Sequence, residues 1–301
     1  MTTESPGRVL VIGGRGNLGR QLLDDLPNAV GTSRTGESSL ETLDINNLAQ
    51  VREVVDRVQP VCVVNTAAMT SVDGCEREPR MAESIHVGGT ANLVNACEAR
   101  GTRLIQLSTN YVFDGNDGPY DEDDDPNPLS VYGRTKLESE GIVLGASCPG
   151  IVVRTAVLYG VESIRPNFLT WALRELVGGK KVRIVTDEWA NPTYVPELSA
   201  AISDLASRES CREGVYHVAG LDYLSRFEMV IALCEQFNQD TASVLPVVSG
   251  DLEQDAHRPL RAGLKIDKIQ ATLGRSFESF RSNLASLGEQ LGNLESWLQS
   301  R

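Results

Sequence analysis

The stretch RVLVIGGRGNLGRQLLDDL, residues 8–26, limits what this chain can fold into more than any other part of it. A β-branched run leads into Gly13, Gly16 and Gly19, spaced G-x-x-G-x-x-G, and apolar residues at helical spacing follow. A strand feeding a helix through such a turn opens a parallel βαβ unit. The first glycine permits the tight turn, the second lets backbone N–H groups approach a pyrophosphate, and the third lets helix and strand pack closely. Gly13, Arg15, Gly16, Asn17, Leu18 and Gly19 are therefore candidate dinucleotide-binding residues. A Gly-rich turn of purely structural purpose is the competing reading.

The alternation continues along the first half. AVGTSR (29–34) reads as a second strand, LDI (43–45) leads into a helix-like LAQVREVVDRV (48–58), and VCVVNTAA (61–68) follows. A helix from about Pro79 to Ala99 and the strand-like RLIQLSTNYVF (103–113) come next. This order predicts an α/β fold: a Rossmann-type doubly wound parallel sheet covered on both faces. A loop rich in Gly, Pro and Asp (114–130), a helix opening VYGRTKLESEG (131–141) and a strand GIVVRTAVLYG (150–160) complete that half. Beyond 160 helical spacing dominates, with KVRIV (181–185) strand-like and VYHVAG (215–220) expected as a late strand of the same sheet. Apolar residues recur at 277, 280, 284, 287, 291, 294 and 298 in the tail. With Gly288 and Gly292 inside that run, packing onto the body is expected, and a homodimer seam is the alternative.

The end of the second strand bears on the cofactor. An acid there would hold the ribose 2′-hydroxyl of NAD, whereas an arginine accommodates the 2′-phosphate of NADP. Arg34, with Arg15 close by, predicts NADPH; a solvated surface charge is the other reading of Arg34.

Charge and composition exclude several classes. The net charge of −13 argues against a general nucleic-acid-binding surface, so the positive partners of any anionic ligand must be local. No apolar run approaches ~18 residues and none precedes the first strand, so neither a membrane span nor a secretory signal is expected. Six scattered cysteines, with no C-x-x-C and no histidine at ligand spacing, predict buried thiols, no metal site and a cytoplasmic location.

Chemistry concentrates at the end of the fifth strand-like run, LSTNYVFDG (107–115), because ligands bind outside the carboxyl ends of parallel strands. A hydroxyl there can hydrogen-bond a substrate carbonyl. Tyr132 and Lys136 follow, one turn apart on one helix face. With five lysines in 301 residues, such a Tyr-x-x-x-Lys match is uncommon by chance.

At these residues the chain resembles the extended short-chain dehydrogenase/reductase superfamily, and within it the dTDP-4-dehydrorhamnose reductase family. The resemblance rests on GGRGNLG, NTAAMTSVDGCE (65–76), STNYVFDG (108–115), PYDEDDDPNPLSVYGRTKLESE (119–140), RTAVLYG (154–160), NFLTWAL (167–173), DEWANPTYV (187–195) and RPLRAGLKI (258–266), in family order over nearly the whole chain. It implies that Thr109 is the catalytic hydroxyl, Tyr132 the proton donor and Lys136 the catalytic lysine. Lys136 would lower the phenol pKa and hold the nicotinamide ribose. Asp44 and Ile45 match the adenine-contacting segment, and Asn65, Ala67 and Ala68 the segment under the dinucleotide. Thr70, Asp73, Asn110, Asn167, Phe168, Asn191 and Arg258 match the substrate-facing positions, with Trp171 read as core. The resemblance also implies a dinucleotide-binding domain at 1–160, joined by elements near 196–220. A smaller, mostly helical substrate-binding part would comprise 161–195 and 221–301.

The chain departs from the family pattern at several places. Asn110 stands where aspartate is usual, His86 where asparagine is frequent, and Val157 where tryptophan is common. Arg261 and Ala262 replace a frequent Asn-Ser pair. His86 reads as a satisfied structural histidine. Three functions follow: an NADPH-dependent reductase of a 4-keto-6-deoxy nucleotide sugar, a related reductase or epimerase of another keto compound, or a non-catalytic regulatory subunit resembling the methionine adenosyltransferase β-subunit. Tightly held NAD, which an epimerase needs, fits Arg34 poorly.

Overall fold

Both faces of the first strand are apolar, and that decides the architecture. In the computed structural model, which describes residues 7–37, 39–161, 165–208 and 211–299, strand β1 (Val9–Ile12) is buried along its whole length. Val9 and Val11 point into one core with helix α1 (Asn17–Asp25) and the helix Val195–Ser207. Leu10 and Ile12 point into another with helix α2 (Leu48–Val58) and the helix Gly89–Glu98. The two-residue period of a strand thus serves two layers of helix, as an all-parallel sheet requires.

The sheet has seven strands, all parallel: β2 (Ala29–Ser33), β3 (Glu41–Thr42), β4 (Cys62–Asn65), β5 (Arg103–Thr109), β6 (Gly150–Thr155) and an edge strand Gly214–His217 join β1. From one edge the order is Gly214–His217, β6, β5, β4, β1, β2, β3. The chain order reverses between β1 and β4, which opens a crevice beyond their carboxyl ends. Helix α1 stops at Leu26, before Pro27, where a helical conformation is disfavoured. Helix α2 starts at Asn47, whose side chain accepts from the Ala49 and Gln50 amides, a cap worth about 1 kcal/mol.

Trp171, read as core, is exposed on its helix, and three further local features differ from the sequence expectation. Glu41–Thr42 forms a short edge strand where a loop was expected, because backbone pairing to β2 needs no apolar side chains. The single helix expected from Pro79 to Ala99 is divided into Pro79–Glu83, a π-helical turn Ser84–Gly88 and Gly89–Glu98. A parallel pair of strands, Val182–Val185 and Val244–Val247, lies outside the main sheet; only its first member was legible.

A further core joins the helices Phe168–Val177, Arg226–Phe237 and Phe280–Leu291. The tail packs here. Phe280, Leu284, Leu287 and Leu291 are buried against residues such as Leu173, Met229 and Leu233, and the helix ends at Gly292 in a positive-φ conformation. The coiled-coil period is thus used within the chain. All six cysteines are buried and free. Among the described residues no helix is long and apolar enough to cross a membrane, and no group of three or more His, Cys, Asp or Glu is placed to hold a metal ion.

Candidate active site

The cleft beyond β1, β4 and β5 has a volume of about 860 Å³, and its wall begins with the glycine turn. Gly13 has φ +85, a backbone conformation that L side chains avoid. A Cβ on Gly19 would lie 2.3 Å from the Gly13 carbonyl oxygen, so helix and turn can touch only because residue 19 is glycine. Gly16 is the N-cap of α1, with no side chain capping the helix and no acid in its first turn. A helix N-terminus without a side-chain cap, facing an open cleft, suits the diphosphate of a dinucleotide. Arg15, Gly16, Asn17, Leu18 and Gly19 line this end.

At the end of β2 Arg34 is exposed. Arg15 donates to the Thr35 hydroxyl (2.7 Å) and pairs with Glu37 (2.6 Å). A carboxylate therefore stands in this cluster although none was apparent at the strand end itself. Asp44 accepts from the Asn46 amide, and Ile45 is buried, its side chain against Gly89. Ala68 and Thr70 line the cleft, whereas the Ala67 amide is tied to Asn65.

Thr109, Tyr132 and Lys136 come together at the centre of the cleft. Thr109 ends β5, buried, and its hydroxyl accepts from the Tyr111 amide (3.1 Å). Ser130 caps the helix Val131–Leu144 by accepting from Gly133. A Cβ on Gly133 would lie 2.1 Å from the Tyr111 carbonyl oxygen, so this glycine allows the helix to press Tyr132 against the strand end. The Tyr132 ring meets those of His86 and Tyr111 edge-on, at 5.7 and 5.8 Å between centroids.

Burial pushes the Tyr132 phenol up to about 12, against a smaller opposing effect of its hydrogen bond with Thr109. The direction is set by loss of hydration and not by Lys136, which the sequence reading expected to lower the phenol pKa. The Lys136 ammonium is itself buried and donates to the Leu107 carbonyl. Burial lowers its pKa to about 8, partly offset by Glu140 one turn further on.

Glu140 anchors a buried network behind the site. It accepts from the Ser108 hydroxyl, beside Thr109, and from Arg154 on β6, with a shortest Arg154 contact of 2.7 Å. The two elements bearing the central residues, β5 and the helix Val131–Leu144, are thereby tied to each other and to β6 through one carboxylate. His86 takes the Met69 amide on Nε2 (3.0 Å), which leaves the Nδ1 proton for the Thr135 hydroxyl at 2.8 Å. That tautomer is neutral, and burial with Lys136 nearby pushes the ring pKa down to about 3.

The residues read as substrate-facing divide into two groups. Asn167 and Phe168 line the cleft; Asn167 also caps the helix Phe168–Val177 and donates to the Gly160 carbonyl (2.9 Å). Asn110 lines it too, while its amide donates to the Ala262 carbonyl (2.8 Å), a bond that an aspartate could not make. Asp73 and Arg258 are paired with each other, at 3.1 and 2.8 Å, and this holds the Asp73 carboxyl below its usual range. Asn191 is buried outside the cleft lining, joining Gly220 to Leu264 through both ends of its amide.

Sequence reasoning missed Tyr111, Gly133, Glu140 and Arg226. A glycine early in a helix was a readable signal for Gly133. Tyr111 and Arg226 carried none, since their roles come from contacts across the fold.

Sheet order, glycine turn and cleft together define a dinucleotide-binding protein of the Rossmann type. A family model described as the RmlD substrate binding domain matches residues 7–292. The dTDP-4-dehydrorhamnose reductase of Streptomyces griseus is 37% identical over 260 residues, 84% of this chain and 83% of that protein. Methionine adenosyltransferase 2 subunit beta of Rattus norvegicus is 31% identical over 278 residues, 89% of this chain and 82% of that protein. The structure of dTDP-4-dehydrorhamnose reductase from Bacillus anthracis in complex with NADP matches with a TM-score of 0.87 at 29% identity, over 95% of this chain and all of that one. The chain belongs to the RmlD family of extended short-chain dehydrogenases/reductases.

Proposed function

We propose that the protein is an NADPH-dependent reductase acting on the 4-keto group of a nucleotide-linked 6-deoxyhexose, of the dTDP-4-dehydrorhamnose reductase type. The meeting of Thr109, Tyr132 and Lys136 in a cleft that starts at an uncapped glycine turn carries this reading. The turn amides of residues 13–19 would hold the diphosphate, Arg15 and Arg34 the 2′-phosphate, and Asp44, Ile45, Ala67 and Ala68 the adenine and nicotinamide surroundings. NADPH, when bound, supplies the hydride that reduces the ketone carbon and leaves as NADP.

Thr109 orients the carbonyl through its hydroxyl. Tyr132 transfers its phenolic proton to the carbonyl oxygen as that oxygen takes on charge. A phenol raised to about 12 stays protonated at neutral pH. An alkoxide is a far stronger base than a phenolate, so the transfer remains downhill. Lys136, still mostly charged at pH 7, stabilises the phenolate left behind and holds the ribose. Thr70, Asn167 and Phe168 bound the sugar end, with Asp73, Asn110, Asn191 and Arg258 shaping it from behind. Residues 1–160 with elements near 196–220 serve the cofactor, and 161–195 with 221–301 the substrate. The reaction is placed in the cytoplasm.

The decisive assay mixes purified protein with NADPH or NADH and dTDP-4-keto-6-deoxyhexoses and follows cofactor absorbance. Tyr132→Phe should lower turnover about 10²–10⁴-fold while leaving NADPH affinity nearly unchanged. A Phe variant with wild-type rate removes the tyrosine from the mechanism. The match to the methionine adenosyltransferase subunit supports a second reading, a regulatory NADP-binding partner. Tight NADPH binding without turnover on any nucleotide sugar would favour it.

A further inference from the structure

Arg226 lines the central cleft and has no part in the mechanism above. It opens the helix Arg226–Phe237, whose N-terminus is closed by a capping box between Ser225 and Glu228. The helix end therefore presents no bare amide, and the guanidinium, with that of Arg165 in the same lining, supplies the positive charge at this place. That guanidinium lies over the Phe168 ring, 4.8 Å from its centroid, and its charge acts on the Tyr111 hydroxyl. Stacking on Phe168 holds its plane and leaves donors of its rigid fork for a ligand.

Its counter-charge is incomplete. The Glu188 carboxylate stands 3.8 Å away, longer than a hydrogen bond. Glu188 is only 7% exposed, and its other oxygen has no hydrogen-bond partner among the described residues. Burial also raises its pKa, which weakens its hold on the cation further. Arg258 differs in both respects: it is bound at two points by Asp73, and it lines a separate hollow of about 590 Å³.

Position gives the ligand. Tyr111 interacts with Arg226 and also meets the Tyr132 ring edge-on at 5.8 Å. The cation thus stands one aromatic ring from Tyr132, in the cleft that the dinucleotide turn also lines. A sugar whose carbonyl lies at Tyr132 would direct its anomeric substituent toward this cation.

We propose that Arg226, held by Phe168 beside Tyr111, binds the sugar-linked phosphate of a nucleoside diphosphate and so selects nucleotide-linked over free keto sugars. This assignment rests on the nucleotide-sugar reading given above. Full-length protein loaded with NADPH, titrated calorimetrically with dTDP, tests it without turnover. Arg226→Met, which keeps the aliphatic stem on Phe168, should weaken dTDP at least about tenfold, as expected for losing a charge-assisted contact. Arg226→Lys should fall between, and Arg258→Met should weaken dTDP less than Arg226→Met does. NADPH affinity and melting temperature, unchanged in the Arg226 variants, would show that the fold is intact. Wild-type dTDP affinity in Arg226→Met, or a loss seen only in Arg258→Met, overturns the assignment alone. A wild-type protein that binds none of dTDP, UDP, GDP or CDP overturns the nucleotide-sugar reading together with it.

Discussion

Replacing Lys136 by methionine should stabilise the protein in a pH-dependent way while removing its activity. Lys136 is 3% exposed, and burial lowers its pKa from 10.5 to about 8. Solvent screening does not reduce the consequence at such a position. Between those two values the unfolded chain binds the proton more readily than the folded one, so the folded state gains stability as pH rises. Each pKa unit is worth about 1.4 kcal/mol, which makes the buried ammonium unfavourable by ~3 kcal/mol at pH 7 and by ~1 kcal/mol at pH 10.

Methionine keeps the length and loses the charge. It also loses the bond to the Leu107 carbonyl, a cost that does not vary with pH. The informative quantity is therefore the difference in unfolding free energy between wild type and Lys136→Met across pH. His86, Tyr132 and the Glu140–Arg154 pair surround the ammonium in both proteins, and their own titrations largely cancel in that difference. Urea denaturation at pH 7, 8, 9 and 10 should show wild type gaining about 2–3 kcal/mol on the variant. The wild-type kcat/KM should decline with an apparent pKa near 8 over the same range. A stability difference that stays constant from pH 7 to 10 would refute the reasoning, because Lys136 would then keep an ordinary pKa in the fold.

Three further outcomes are expected. Arg34→Ala should weaken NADPH about tenfold and leave NADH unchanged in fluorescence titrations; equal loss for both contradicts the 2′-phosphate assignment. Asn110→Asp sets a buried acceptor against the Ala262 carbonyl, so denaturant unfolding should show a loss of about 1–3 kcal/mol. Undiminished stability would mean that the amide bond contributes nothing. Gly133→Ala puts a Cβ 2.1 Å from the Tyr111 oxygen and shifts Tyr132, so turnover should fall at least about tenfold with far-UV circular dichroism unchanged. Wild-type turnover would show that this close approach is dispensable.

The legible parts of this protein were those set by neighbours in the chain. Gly13, Gly16 and Gly19 act through backbone conformation and contacts within one turn, and Tyr132 and Lys136 share a helix face by spacing alone. The β-branched runs, buried on both faces, carried the parallel sheet in the same way. Even Glu140, one turn beyond Lys136, lay within reach of that spacing, but its partner Arg154 did not.

Tertiary structure alone decided which charges remain available and which protons are held. Asp73 and Arg258, 185 residues apart, neutralise each other, whereas Arg226 keeps an incomplete partner beside Tyr111. Asn191 was assigned to a ligand from its motif, yet its amide is used between Gly220 and Leu264. The pKa values of Tyr132 and Lys136 depart in the directions burial dictates, and burial is a property of the packed whole. Sequence by itself specified the glycine turn, the sheet and the shared helix face of Tyr132 and Lys136, because these depend on φ, ψ and periodicity. The electrostatics of the cleft came only from the fold, since desolvation and long-range pairing exist nowhere in the chain until it closes.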